Sequence, residues 1–278
     1  MAYGTQPTVN VDGFEIPLLG FGTWQLRGDD ARRMVAEALR IGYRHIDTAF
    51  IYENEAEVGQ GIKDAGVARE DFFLTTKIWV TNLTRDALLK QAEASAERLG
   101  TTPDLLLLHW PKPSPELAET IAALNEAKDK GLTRAIGLSN YPSALWQKAQ
   151  NLSAAKLVTN QMEYHPLLSI NAIKAKAAQL GSSVTAWSPL ARGLLMDNPL
   201  INEIAAKYKK TSSQVTLRWI VQQGIVAIPR TSNEGRAREN FDIFDFELTE
   251  DEIARIATLA NGTRVGDHLD AAFQWDAN

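Results

Sequence analysis

"RHIDTAFIYENEAEVG" (44–59) contains one complete structural unit and one anomaly. "RHIDT" (44–48) is a short run that reads as a strand, and a helical pattern begins a few polar residues later. The anomaly is Asp47. A carboxylate at the end of a buried strand must find a partner, and a phenol, Tyr52, stands just beyond it.

The same unit recurs along the chain. After "VNVDGFEI" (9–16), which reads as a hairpin turning at Asp12-Gly13, come "LLGFG" (18–22), "RHIDT", "FFLTT" (72–76), "DLLLL" (104–108), "RAIGL" (134–138), "LVTNQ" (157–161), "SVTAW" (183–187) and "GIVAI" (224–228). Each is followed by a helical pattern. "DDARRMVAEALRIG" opens on Asp29 as an N-cap-like residue and closes on Gly42. "TRDALLKQAEASAERLG" and "SINAIKAKAAQLG" open on Thr84 and Ser169 and also end in Gly. Near-continuous apolar runs are the mark of parallel strands buried on both faces. Eight such units predict an α/β fold of the (β/α)8 TIM-barrel type with an N-terminal β-hairpin, as one domain over 1–278. A doubly wound sheet is the rival. Helical patterns at 199–209 and 248–260 exceed the strict alternation and read as extra helices.

Composition narrows the function. The 278 residues are 45% hydrophobic and 23% charged, an ordinary globular mixture, with no cysteine and a net charge of −5. No disulfide, thiolate nucleophile or cysteine-ligated metal is available. The acidic balance argues against a nucleic-acid partner. No apolar run could span a bilayer and no secretory leader is evident, so the expectation is a cytoplasmic protein, a monomer, with no membrane partner and no metal.

In a barrel the chemistry collects where strands end and loops begin. Asp47, Lys77 and His109 close the second, third and fourth strand runs, and Tyr52 follows the second. Ser139-Asn140 follow the fifth run, Asn160-Gln161 lie in the sixth, and Trp187-Ser188 end the seventh. Each taken singly fits a structural role: an ion pair, a loop anchor, a satisfied core histidine. Four titratable groups on three consecutive strand ends fit an acid–base site. Asp47 would hold Lys77, and cationic Lys77 would lower the phenol pKa of Tyr52. Such a phenol can protonate the alkoxide formed when hydride attacks a carbonyl.

The motifs "GYRHIDTAFIYENEAEVG", "TTKIW", "LLLLHWP", "GLSN", "NQMEYHP" and "IPRTSNEGRARENF" resemble, in order and spacing, those of the aldo-keto reductases, in particular bacterial 2,5-diketo-D-gluconate reductases. The resemblance covers nearly the whole chain. It implies an NADPH-dependent reductase of aldehydes and ketones, such as 2,5-diketo-D-gluconate or methylglyoxal. It makes Asp47, Tyr52, Lys77 and His109 the catalytic tetrad, with Tyr52 as proton donor. Gly22, Thr23, Trp24 and Asp47 would touch the cofactor after the first two strands. Ser139, Asn140 and Gln161 would hold the nicotinamide carboxamide, and Trp187 would stack on the ring. Ser188 and Leu190 would meet the pyrophosphate.

The resemblance also sets the far end of the cofactor. Arg230, Thr231, Ser232 and Arg236 would take the adenosine 2′-phosphate, with Arg238 left solvated, and Glu239 and Asn240 would hold the adenine. Trp24, Tyr52, Trp79, His109 and Trp110 would bound the substrate. The connection "HWPKPSPELAETIAAL" (109–124) is short and predicts an open site. In the tail, Phe273 and Trp275 either line the pocket or pack on the rim. "GQG" (59–61) lacks a third glycine and lies in a helical pattern, which speaks against a Rossmann dinucleotide loop. Two rivals remain: a non-catalytic NADP(H)-binding, redox-sensing subunit of the same fold, and a barrel hydrolase, which would need a second acid facing Asp47.

Overall fold

The computed structural model describes residues 6–266 and Asp276. Phe273 and Trp275 lie outside the described residues.

β1 (Thr8–Val11) and β2 (Phe14–Pro17) pair antiparallel. Asp12 and Gly13 both have positive φ, at 52° and 81°, which is the twist-matched two-residue turn that a tight hairpin requires. Eight parallel strands follow in strict chain order: β3 (Phe21–Gly22), β4 (His45–Asp47), β5 (Phe73–Ile78), β6 (Leu105–Leu108), β7 (Ala135–Ser139), β8 (Leu157–Glu163), β9 (Ser183–Trp187) and β10 (Val226–Ala227). The sheet closes on itself: Gly20 N donates to Ala227 O at 2.8 Å and Gly22 N to Pro229 O at 3.0 Å. The expected (β/α)8 barrel is present.

The helices of the barrel are α1 (Gly28–Ile41), α2 (Glu55–Ala65), α3 (Arg85–Leu99), α4 (Leu117–Asp129), α5 (Ser143–Leu152), α6 (Asn171–Leu180), α8 (Ser212–Val221) and α9 (Glu234–Phe241). The two extra helices are α7 (Pro199–Tyr208) and α10 (Glu250–Ala257). Gly100 and Gly181 end α3 and α6 in the left-handed conformation, as the terminal glycines predicted. The predicted starts fare worse. Asp29 lies inside the first turn of α1, Ser169 precedes the true cap Ile170, and Thr84 makes no capping bond. Acids in the first turn still favour the positive end of the helix dipole without capping it. "GQG" lies within α2, where any Cβ on Gly59 or Gly61 would meet the Leu99 or Arg32 carbonyl oxygen at 2.6 or 2.4 Å. These glycines serve close helix packing.

Burial alternates as a barrel demands. Leu105 and Leu107 of β6 point inward with Phe73, Val158 and Val226, while Leu106 and Leu108 face the helices. Val11 and Ile16 of the hairpin join the inward cluster beside Phe73, Leu105 and Ala135, the first residues of their strands. The hairpin therefore plugs the N-terminal end and leaves the C-terminal mouth open. Among the described residues no helix is long and apolar enough to cross a membrane.

His45 lies inside the barrel, 1% exposed, with Nε2 3.0 Å from Thr75 Oγ1 and its ring edge-on to Phe73. Burial holds its pKa down at about 4, against the opposing pull of Asp47. Unfolded, it titrates near 6.5. Below that value the unfolded chain takes up a proton that the folded one refuses, so stability falls as pH drops from about 6.5 to about 4. The unfolding free energy from urea titrations should fall across this window, by up to about 3 kcal/mol from this group. His45→Gln should flatten the slope, and an unchanged slope in that variant would remove His45 as its source.

Candidate active site

A cavity of about 670 Å³ occupies the C-terminal mouth, and residues in or just after each of the eight barrel strands line it. Asp47, Tyr52 and His109 form part of the wall. Lys77, on β5 next to β4, lies fully buried beneath them. Its Nζ donates to Asp47 Oδ1 at 2.6 Å and to Thr48 O at 2.8 Å, and reaches the Tyr52 hydroxyl at 3.5 Å. Gln161 Nε2 donates to the other Asp47 oxygen at 2.8 Å. The buried carboxylate thus has a partner for each oxygen, which answers the anomaly in the sequence.

Tyr52 sits on a single 3₁₀ turn, Phe50–Tyr52, ended by Glu53 in the left-handed region. Asn54 pins that turn: its amide donates to Thr23 O and Leu26 O, and its carbonyl accepts from Thr48 Oγ1. Asn54 was not singled out in the sequence, because a buried asparagine tying two loops together has no local signature.

The electrostatics correct one expectation. Burial raises the Tyr52 pKa above that of a free phenol, and Lys77 only partly offsets this. Burial works against the charge on Lys77, but Asp47 and Tyr52 together outweigh it and keep the amine cationic. Burial, with Lys77 nearby, depresses the His109 pKa well below the usual imidazole value, so His109 is neutral. Its ring meets Tyr52 and Trp79 edge-on at 5.8 and 5.1 Å. The site therefore holds a protonated phenol, an ammonium and a neutral imidazole around one cavity. That set can donate a proton and a hydrogen bond to an oxygen that gains negative charge.

The side walls are aromatic. Trp24, Trp79 and Trp110 line the cavity with Ile51, and Arg192 stands 5.2 Å over the Trp24 ring. Ser188, Ala191 and Arg192 all have positive φ. Such strain in non-glycine residues collects at functional loops and leaves no mark in residue type, so Arg192 escaped the sequence reading. Trp187 Nε1 donates to Asn140 Oδ1 at 2.9 Å, and Asn140 Nδ2 donates to His109 O and Ser139 Oγ.

Of the remaining expected cofactor residues, Gly22, Thr23, Asn140, Ser188, Leu190 and Arg230 also line the cavity. Ser139, Thr231, Ser232, Arg236, Glu239 and Asn240 do not. The Ser139 hydroxyl donates to Gln161 O. Arg230 donates to Trp24 O and Gln25 O, bracing that loop. Thr231 is buried, its hydroxyl accepting from Asn233 N, and Asn233 caps α9 by accepting from Arg236 N. Glu239 accepts from Thr211 Oγ1. Arg236 is exposed at the start of α9. Arg238 is not simply solvated: it pairs with Glu37 of α1.

The hydrolase rival fails on geometry. Asp47 is the only acid lining the cavity among the described residues, and Lys77 holds it. A second buried strand-end acid does exist, Glu163 on β8, but it lies outside the cavity.

A parallel (β/α)8 barrel thus places a buried Asp–Lys pair, a phenol and an imidazole together at the strand C-termini. The aldo/keto reductase family model matches residues 18–261. The glyoxal reductase of Bacillus subtilis (strain 168) is 40% identical over 261 residues, 93% of this chain and 94% of that protein. A crystal structure proposed to be a 2,5-diketo-D-gluconic acid reductase B superposes with a TM-score of 0.95 at 43% identity, covering 98% of each chain. The Bombyx mori aldo-keto reductase, solved in complex with NADP, gives a TM-score of 0.89 at 34% identity over 96% of each chain. The chain belongs to the aldo/keto reductase family.

Proposed function

We propose that the protein reduces aldehydes and ketones with NADPH, and that Tyr52 supplies the proton. The observation that carries this reading is the Tyr52 hydroxyl 3.5 Å from a Lys77 ammonium that is itself locked to Asp47 at 2.6 Å. The cavity suits the cofactor: the Trp187 indole offers a flat face along its wall, and Gln161 lines it beside Asp47. Bound there, NADPH supplies the hydride. Tyr52 and neutral His109 hold the carbonyl oxygen, and the phenol gives its proton as that oxygen becomes an alkoxide. Lys77 stabilises the phenolate left behind, and Asp47 keeps Lys77 in position. The aromatic walls and the similarity to a glyoxal reductase favour small dicarbonyls and keto sugars. A kcat/KM panel with NADPH over methylglyoxal, 2,5-diketo-D-gluconate and aromatic aldehydes tests this. No turnover of any carbonyl would leave the redox-sensing subunit as the better description.

The start of α9 is the proposed seat of the adenosine 2′-phosphate. The exposed Arg236 lies one helical turn from Ser232, and the helix N-terminus favours an anion. A charge-assisted hydrogen bond is worth about 1.5–3 kcal/mol, so Arg236→Ala should weaken NADPH binding by about one to two decades in Kd. NADH, which lacks the phosphate, should be little affected. Equal losses for both cofactors in a fluorescence titration would show that Arg236 does not read the phosphate.

A further inference from the structure

Glu163 has no part in the reaction proposed above, yet it is 1% exposed at the end of β8, in register with Trp187 on β9. A carboxylate so placed needs donors. Val265 N donates to Oε1 at 2.5 Å, His165 Nε2 lies 3.1 Å from the same oxygen, and the Arg264 guanidinium stands 4.0 Å from Oε2. Two of these groups belong to a segment some hundred residues further along the chain. The next residue, Gly266, lines the cavity and lies against Trp187. A Cβ at Gly266 would meet Trp187 Cη2 at 2.2 Å and Cζ3 at 2.6 Å, closer than any side chain can approach, and Glu163 Oε2 at 3.3 Å. The glycine is therefore required sterically by the benzo edge of the indole. The opposite edge is held by the bond from Nε1 to Asn140.

We infer that Glu163 is a positioning residue for cofactor binding: its carboxylate holds segment 264–266 down so that Gly266 bears on the benzo edge of Trp187 and fixes the tilt of the ring. The link runs through a backbone N–H at 265, so it does not depend on the side chain there. Because Asn140 grips one edge and Gly266 the other, the indole cannot swing when the cofactor leaves. A fixed ring need not be ordered again on each binding event, and this retains the cofactor. The inference rests on the reading of Trp187 as the surface on which the nicotinamide stacks.

The test uses the full-length chain with NADPH as the probe, and measures its dissociation rate by stopped-flow fluorescence together with the KM for an aldehyde. Gly266→Ala should raise the dissociation rate about three- to tenfold, a larger change than in the aldehyde KM. Glu163→Gln keeps the side-chain volume but weakens the link, offering Val265 N–H a neutral amide oxygen in place of a carboxylate and dropping the charge toward Arg264, and should raise the rate in the same direction. Combining the two should add nothing further, since both break one link. Trp187→Phe removes the benzo edge, so adding Gly266→Ala to that variant should have no effect. That rescue cannot arise from a general loss of fold. Additive effects, or a Gly266→Ala effect that is equally large when combined with Trp187→Phe, would overturn the inference. Trp187→Ala separates it from the reading beneath it. Unchanged NADPH binding in that variant would sink the stacking role itself. Weakened binding there with unchanged rates in Gly266→Ala and Glu163→Gln would sink the positioning role alone.

Discussion

Replacing Tyr52 with phenylalanine should lower kcat by about 10²–10⁴-fold and leave NADPH affinity unchanged. The substitution deletes one oxygen. The ring still packs edge-on against His109 and under the Lys77 ammonium at 5.1 Å, and Lys77 keeps its bonds to Asp47 and Thr48. The bond lost is the 3.5 Å contact between Lys77 and the hydroxyl, so the fold should survive intact. What disappears is the only phenol on the cavity wall among the described residues. Steady-state rates and a cofactor titration on the same preparation check this. A variant retaining more than about a tenth of wild-type kcat would show that another group delivers the proton.

Lys77→Met should abolish turnover and also cost stability. Asp47 is 2% exposed, and without the ammonium its charge would rest on the Gln161 amide alone. Removing one partner of a buried pair costs about 3–5 kcal/mol, which in a chain of this length lowers Tm by roughly 10 °C. The pH dependence has a definite sign. Burial raises the Tyr52 pKa and Lys77 pulls it back. Without Lys77 the phenol becomes a still weaker acid. The alkaline limb of any residual rate should then move to higher pH, and the plateau should be lower. Calorimetry and a pH–rate profile together check this. An unshifted limb would mean that Lys77 does not tune the phenol, and an unchanged Tm would mean that Asp47 does not depend on it.

Much of the barrel was legible because its causes are local. Parallel strands buried on both faces are largely apolar, so "DLLLL" and "SVTAW", short and bounded by helical patterns, read as strands. A helix that ends in a left-handed residue favours glycine, so Gly100 and Gly181 marked true ends. Helix starts were misplaced at Asp29 and Ser169 because an acid or a hydroxyl near a first turn is favourable whether or not it caps.

The candidate site divides along the same line. The sequence alone determined that Asp47, Lys77 and His109 would stand at the ends of neighbouring strands, because order in a barrel follows order in the chain. It also determined that a carboxylate there would need a cation. Only the tertiary structure decided the rest. Burial, not Lys77, sets the direction of the Tyr52 shift, since desolvation depends on every atom around the phenol. Arg230 turned to brace the Trp24 loop, and Arg238 found Glu37 across to another helix. Glu163 met Val265 across some hundred residues of chain, and Gly266 met Trp187. Periodicity and residue type record whether a position is buried. Which distant group it is buried against is set by the closing of the barrel.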